Sequence, residues 1–282
     1  MRLYPALEVT WPVRPDEDVI DRLVALLDDH QPTGVEEQPR GVRVFFQTPA
    51  HRDRARLHLQ TIAPEATAAA VEVSDDDWAA RSQAAITSIA VDRLVVSPPW
   101  DVQAIAGVQT IVIQPSMGFG TGHHASTRLC LRLLQQIAPL DGHSVIDVGT
   151  GSGVLAIAAS KLGASRVVAI DSDPDAVTSA RENLELNDAI DRVDLRRHDV
   201  AGTAATGGTP FDLVLANLTG AVLIRHARTL CDLAAVGGSL ILSGIEPHET
   251  DDVIAAFTPL GPQVIARDSE QGWIGLRLDR AG

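Results

Sequence analysis

The chain has 282 residues, 45% of them apolar, and a formal net charge of −14 at pH 7; that length accommodates two domains and that composition a sizeable core. The acidity argues against direct nucleic-acid binding, which rests on a cationic surface, and suits a basic protein partner. No apolar run approaches the roughly 20 residues of a membrane span, no signal-peptide core follows Met1 and Arg2, and Cys130 and Cys231 stand in no metal spacing, so a cytoplasmic protein with reduced thiols and no metal site is expected.

Along the first part of the chain, Leu7, Val9, Trp11 and Val13 alternate as a strand, and residues 16–29 carry Val19, Ile20, Leu23, Val24, Leu26 and Leu27 at helical spacing. Residues 35–38 and 42–46 read as two strands joined by a turn at Pro39, Arg40 and Gly41. Residues 51–62 form a second helix and 68–73 a fourth strand. The order β-α-β-β-α-β is that of a ferredoxin-like α+β domain, placed at 1–73, whose usual use is recognition. Residues 74–88 predict a helix opened by Ser74 and three aspartates. Strand-like pieces at 94–97, 102–106 and 110–113 follow, so 74–113 reads as a linker.

From residue 126 the alternation becomes regular. Helices are predicted at 126–137, after the glycine turn to about Leu162, and at 175–186, 221–234 and 249–257. Strands are predicted at 144–146, 166–170, 193–195, 213–216, 239–242, 264–267 and 273–278. Strands alternating with helices imply a parallel sheet, closed here by a final hairpin, over a domain at 114–282.

The densest signal in that domain is the stretch VIDVGTGSGVLAIAASKLGASRVVAIDSDP. A strand ends in Asp147, a turn follows at Gly149, Gly151 and Gly153, a helix comes next, and a second strand ends in Asp171, about 20 residues past the first glycine. Glycines let backbone approach a ligand closely, and a carboxylate at Asp171 offers acceptors to a ribose diol. A dinucleotide site wants G-x-G-x-x-G, whereas Val154 follows the third glycine here and Asp147 stands two residues before the first. A carboxylate there suits a ligand with a positively charged amino acid part. D-x-G-x-G-x-G followed by D-x-D-P resembles the S-adenosylmethionine loop of seven-strand methyltransferases.

Three further features fall at strand ends. In QPSMGFGTGHHASTRLCL, glycines 118, 120 and 122 make a loop, Ser126 or Thr127 opens a helix able to meet a ligand carboxylate, and Phe119, His123 and His124 are candidates for the substrate side. Asp199 follows the third strand and could accept from an adenine amino group or simply serve its loop. Arg192, Arg196 and Arg197 read as a solvated strand edge. Asn217, in FDLVLANLTG, ends the fourth strand next to the glycine loop. It is the candidate catalytic residue: methyl transfer to an amine is an in-line displacement that depends on positioning, and an amide oxygen can hold the amine and stabilise its developing charge. No dedicated general base stands out, His123 and His124 being candidates by proximity alone.

With these residues in place, the chain resembles the ribosomal protein L-11 methyltransferase family over nearly its whole length. FGTGHHASTRLCL, DVGTGSGVLAIAASKLGA, AIDSDPDAV, ANL, GGSLILSGI, DDDW at 75–78 and SPPW at 97–100 are similar to that family's segments. The resemblance implies a seven-strand doubly wound (Rossmann-like) methyltransferase domain preceded by the small ferredoxin-like domain. It also implies transfer of methyl groups from S-adenosylmethionine to the α-amine and lysine ε-amines of ribosomal protein L-11, leaving S-adenosylhomocysteine. Thr127, Gly149, Asp171 and Asn217 match the family's cofactor contacts, joined from the spacing by Asp147 and Gly151. The amino-terminal domain would grip the substrate, and the linker would let it swing between amines. His123, Ala125 and Ser126 stand where the family usually has Thr, Pro and Thr, and Leu218 and Thr219 replace its Ile-Leu. The chemistry is thereby better fixed than the substrate: another protein, a peptide, a small molecule or RNA are the alternatives.

Overall fold

The computed structural model describes residues 3–12, 19, 23, 27, 30, 32–38, 40–74, 86–102, 107–115, 124–201 and 209–281. The chain divides into two compact units, Met1–Ile86 and Thr87–Gly282. Most of the predicted helices at 16–29 and 74–88, and the Phe119 and His123 loop, lie outside the described residues. So do residues 103–106 of the strand predicted after Trp100.

In the first unit, β1 (Leu3–Thr10), β2 (Pro32–Gln38), β3 (Gly41–Phe46) and β4 (Thr67–Ser74) form one sheet in the order β2-β3-β1-β4, every neighbour antiparallel. This strand order fits the ferredoxin-like domain expected from the sequence, of whose two predicted helices the second is described in full. Helix α1 (Pro49–Ile62) starts where the Thr48 hydroxyl accepts the His51 N–H, which satisfies one of the free donors of the first turn. Its Ala55 and Leu59 are buried against Leu7, Val9, Val42, Val44 and Phe46. Alternate residues of β1 and β3 point into that core, as period two requires.

The second unit opens with a three-stranded sheet of β5 (Ile89–Val91), β6 (Leu94–Ser97) and β7 (Gln109–Val112) in that order. Helix α2 (Ala125–Ile137) follows. The main sheet comprises β8 (Ser144–Val148), β9 (Arg166–Asp171), β10 (Val193–Arg197), β11 (Phe211–Asn217), β12 (Ala234–Ile245), β13 (Pro262–Glu270) and β14 (Trp273–Arg280). Its order is β10-β9-β8-β11-β12-β14-β13. The first five strands are parallel, and β14 enters antiparallel to β12 with β13 as its hairpin partner. Order reverses between β8 and β11, which creates a crevice at their carboxyl ends.

Helices α3 (Val154–Lys161), α4 (Pro174–Leu186), α5 (Gly220–Leu233) and α6 (Thr250–Phe257) complete the unit. Two buried clusters flank the sheet. One joins α2, α3 and the three-stranded sheet to β8 and β11 through Leu131, Leu134, Leu155, Ile111 and Val145. The other joins α5 and α6 through Leu223, Leu230, Val253 and Phe257 to Ile146, Val214 and Leu240. Each such buried Leu or Phe is worth about 1.5–3 kcal/mol. Helix α3 is buried from Val154 to Ser160, which explains a sequence apolar all round.

Candidate active site

The glycine turn is fixed by what surrounds it. Gly149 has φ +71°, and a Cβ there would lie 2.4 Å from Leu218 Cδ2; glycine alone takes this backbone and this contact without strain. The Gly149 and Thr150 N–H groups both donate to the Ile170 carbonyl, at 2.9 and 3.0 Å. The Asp171 carboxylate accepts the Gly151 N–H at 3.0 Å through Oδ2 and the Asp173 N–H at 3.0 Å through Oδ1. Two backbone donors leave lone pairs on both oxygens, so Asp171 shapes the turn and still has acceptors to offer.

A cavity of about 740 Å³ lies at this crevice, lined among others by Gly149, Gly151, Asp171, Ser172, Asp173, Asp199, Asn217 and Leu218. Its size falls in the range of small-ligand sites. Val148, Ile170, Val200, Leu218 and Val222 give it apolar wall, while Asp171, Ser172 and Asp199 give polar groups. A flat apolar base with a hydroxyl-bearing sugar fits such a surface, and the Asp171 acceptors fit a ribose diol; the residues present suit S-adenosylmethionine.

Asp147 is placed differently from the other predicted cofactor residues. It is 1% exposed and is not among the residues lining the cavity. Its Oδ2 accepts the Thr150 hydroxyl at 2.6 Å and the Ala156 N–H at 3.2 Å, tying the turn to the first helical residues after it. Its Oδ1 is buried with no hydrogen-bond partner among the described residues. Burial pushes this carboxyl up to about 7, against the lowering effect of those two hydrogen bonds, with the Asp171 charge adding to the rise.

Thr127 is 1% exposed, and its Oγ1 accepts the Asn217 side-chain amide N–H at 3.2 Å. The helix-start signal is shifted from Ser126 or Thr127: the cap of α2 is His124, whose Nδ1 accepts the Ser126 N–H at 3.4 Å and stands 2.7 Å from the Ser126 hydroxyl. The imidazole ring meets the Trp273 ring edge-on, centroids 4.6 Å apart. An imidazole nitrogen does here what a hydroxyl more often does, so His124 serves the helix start, and Thr127 is released to serve Asn217.

Asn217 lines the cavity at the tip of β11, with Leu218 N–H donating to the Ser243 carbonyl at 3.0 Å. Since Nδ2 is turned to Thr127, the acceptor Oδ1 faces away from it, close enough to Gly244 that a Cβ there would lie 3.1 Å away. Asp199 also lines the cavity, while its Oδ1 accepts the Ala201 N–H at 2.9 Å. Arg196, half-buried, pairs with the exposed Asp194 on β10, the edge strand, and Arg192 and Arg197 are exposed. The solvated edge expected of the cluster describes Arg192 and Arg197, with Arg196 paired along it.

Ser172, Ser179, Val222 and His226 line the cavity without having been singled out from the sequence. They sit in the loop after β9 or in the early turns of α4 and α5. A signal existed: helices that follow strand tips start at the crevice, and Val222 and His226 are four residues apart, on one helix face. Among the described residues no group of three or more His, Cys, Asp or Glu is placed to hold a metal ion, and no helix is long and apolar enough to cross a membrane.

Comparison with known proteins gives one consistent picture. The sequence profile of the family described as ribosomal protein L11 methyltransferase (PrmA) matches residues 17–281. A ribosomal protein L11 methyltransferase of Geotalea uraniireducens is 41% identical over 225 residues, covering 73% of this chain and 69% of that protein. One of Myxococcus xanthus is 40% identical over 240 residues, covering 84% and 80%. The crystal structure of a ribosomal protein L11 methylase from Lactobacillus delbrueckii subsp. bulgaricus superposes with a TM-score of 0.64 at 31% identity, over 70% of this chain and all of that one.

Proposed function

The chain belongs to the ribosomal protein L11 methyltransferase family, and from that membership we propose that it methylates the α-amine and lysine ε-amines of ribosomal protein L11. It is an S-adenosylmethionine-dependent methyltransferase with a Rossmann-like α/β domain and an additional small domain. The observation that carries the reading is the Asn217 amide, lining the cavity that Asp171 also lines and turned by Thr127 so that its oxygen is free of that bond.

S-adenosylmethionine, when bound, supplies a methyl group made electrophilic by its sulfonium. Asp171 would hold the ribose hydroxyls, and the backbone of Gly149 and Gly151 would lie against the cofactor. Asn217 Oδ1 accepts an N–H of the incoming amine, aims its lone pair and stabilises the positive charge that grows on nitrogen. A lysine amine, whose reference pKa is about 10.4, arrives protonated and must lose that proton before its lone pair is available. The acidic chain favours encounter with a basic protein and works against RNA as substrate. The first unit grips the substrate protein, and the second carries out transfer. A ribosomal substrate places the enzyme in the cytoplasm.

Incubation with labelled S-adenosylmethionine and purified L11, read by intact mass, tests this. Mass gains in steps of one methyl, lost in Asn217→Ala, are expected. No gain with cofactor binding intact would overturn L11 as the substrate.

A further inference from the structure

Thr127 and Asn217 belong to elements far apart in sequence, yet both elements touch one short piece of the carboxyl-terminal hairpin. On the Thr127 side, the Trp273 ring meets His124, three residues before it. The Glu270 carboxylate accepts the Arg128 Nε–H at 2.6 Å and the Arg132 Nη1–H at 2.6 Å, and Gln271 Oε1 accepts Arg128 Nη2–H at 3.1 Å. Asp268 takes the Arg132 Nε–H at 2.8 Å. Helix α2 is therefore held on both sides of Thr127. It also sits close on β14: a Cβ at Gly275 would stand 3.0 Å from Leu129 Cβ and 3.1 Å from Leu133 Cδ1.

On the Asn217 side, Ser243 is the β12 neighbour of Asn217 in the sheet. Its hydroxyl donates to the Ile274 carbonyl at 3.0 Å, and its own carbonyl accepts the Leu218 N–H. Ile274 lies between Trp273 and Gly275, so the same three residues of β14 set the height of α2 and brace the strand end that carries Asn217. The arginine pairs are short, partly buried and multiply bonded, the form in which ion pairs fix geometry.

We propose that residues 270–275 of the hairpin are a positioning device for methyl transfer, holding Thr127 and Asn217 in register so that the Asn217 oxygen is aimed at the substrate amine. The hairpin touches neither reacting group; Glu270 and Trp273 act through α2 and the Thr127 hydroxyl, while Ile274 braces the strand end that carries Asn217. Misplacing such a group by about 1 Å costs on the order of 10²-fold in rate, so small changes at the hairpin register in turnover before they register in folding.

The proposal rests on the reading of Asn217 as the group that holds the amine, and its test separates the two. Turnover of L11 by the full chain is compared for Glu270→Ala, Trp273→Leu, Thr127→Val, Thr127→Ser and Asn217→Ala, with each hairpin change also made on Thr127→Val. Glu270→Ala and Trp273→Leu are expected to lower kcat about tenfold, with the KM for S-adenosylmethionine nearly unchanged; Glu270→Ala also melts earlier, because Arg128 and Arg132 lose their shared carboxylate. The Asn217 side-chain amide signals in a nitrogen-15 spectrum are expected to move as they do in Thr127→Val. On Thr127→Val the hairpin changes should cost nothing further, while Thr127→Ser keeps the wild-type sensitivity. Wild-type kcat in the hairpin variants, beside an inactive Asn217→Ala, overturns the positioning role and leaves the amine-holding reading intact. Equal losses with and without the Thr127 hydroxyl also overturn it. A fully active Asn217→Ala brings down both. If Trp273→Leu does not fold, Trp273→Phe and Glu270→Ala, at the hairpin turn, carry the test.

Discussion

The Asn217 side-chain amide donates to the Thr127 hydroxyl at 3.2 Å, across 90 residues of chain. An asparagine has two faces, and this bond engages the N–H₂ side with Thr127; in the proposed function the oxygen is the face offered to the amine. Asn217→Ala removes the acceptor altogether. Loss of one such preorganised group costs about 10²–10³ in kcat, and that is the expected loss, with a much smaller change in cofactor affinity. Steady-state kinetics that instead showed an unchanged kcat and a raised KM would make Asn217 a binding group.

Asp171 has two tasks, and they can be read apart. Its carboxylate accepts Gly151 and Asp173 N–H groups and, in the proposed function, the ribose hydroxyls. S-adenosylhomocysteine at about 100 times its Kd should stabilise the folded chain by about 2.7 kcal/mol by mass action. Asp171→Ala is expected to lose this thermal shift while melting only slightly earlier without ligand. A retained shift would remove the ribose role.

The legibility of these residues was uneven for physical reasons. Asp171 and Asn217 show in the sequence because each is a polar residue closing an apolar strand, and β6 shows with its boundaries at Leu94 and Ser97. Strand β1 begins at Leu3, earlier than the alternation from Leu7, because Pro5 and Ala6 blur the period. Strand β5 is three residues long, too short for a period. Strand β12 spans Ala234–Ile245 rather than a central four residues, since Gly237 and Gly238 read as a turn. The cap at His124 and the cavity position of His226 depend on which way a helix face turns in the packed unit. Local sequence does not contain that.

Two glycines near Asn217 should differ in what they tolerate. Alanine at Gly149 meets the end of the flexible Leu218 side chain at 2.4 Å, whereas alanine at Gly244, φ +81°, meets the Leu218 backbone carbonyl oxygen at 2.5 Å. Both substitutions pay roughly 1–2 kcal/mol for the left-handed backbone. A side chain can swing aside, whereas the Leu218 backbone is tied to β12 by its N–H bond to the Ser243 carbonyl, so Gly244→Ala should be the more destabilising in urea titrations. Adding Leu218→Ala should restore part of the loss in Gly149→Ala and none in Gly244→Ala. Equal recovery in both would contradict the packing described.

The two thiols should be inert. Cys130 is 0% exposed and Cys231 1%. Burial pushes the Cys130 thiol far above its ordinary range, the nearby Asp147 adding to it, and burial pushes Cys231 up to about 11. The thiolate is the reactive form. A thiol reagent at neutral pH is expected to label neither cysteine in the native chain and both of the two after unfolding. Labelling of native protein at either position would mean that its helix opens locally.

Asp147 gives the stability of the chain an unusual pH dependence. Its folded-state value near 7 stands above the roughly 3.9 of an unfolded aspartate. Between about pH 4 and 7 the folded chain therefore keeps a proton that the unfolded chain has released, and the contribution of Asp147 to stability falls as pH rises through that window. The carboxylates held low by partners, Asp194 beside Arg196, Asp212 bonded by Ser144, and Glu270, whose Arg128 and Arg132 bonds outweigh burial, act the other way. Their contribution is full above their unfolded values and is lost only as pH falls below about 4, outside the window. Asp147→Asn has no proton to release. Urea unfolding of both proteins across the window should show the difference in free energy moving in favour of the variant as pH rises toward 7, then levelling. Parallel curves would mean that Asp147 is ionised in the folded protein throughout. Its Oδ1, which has no hydrogen-bond partner among the described residues, would then carry a buried charge without a hydrogen bond there.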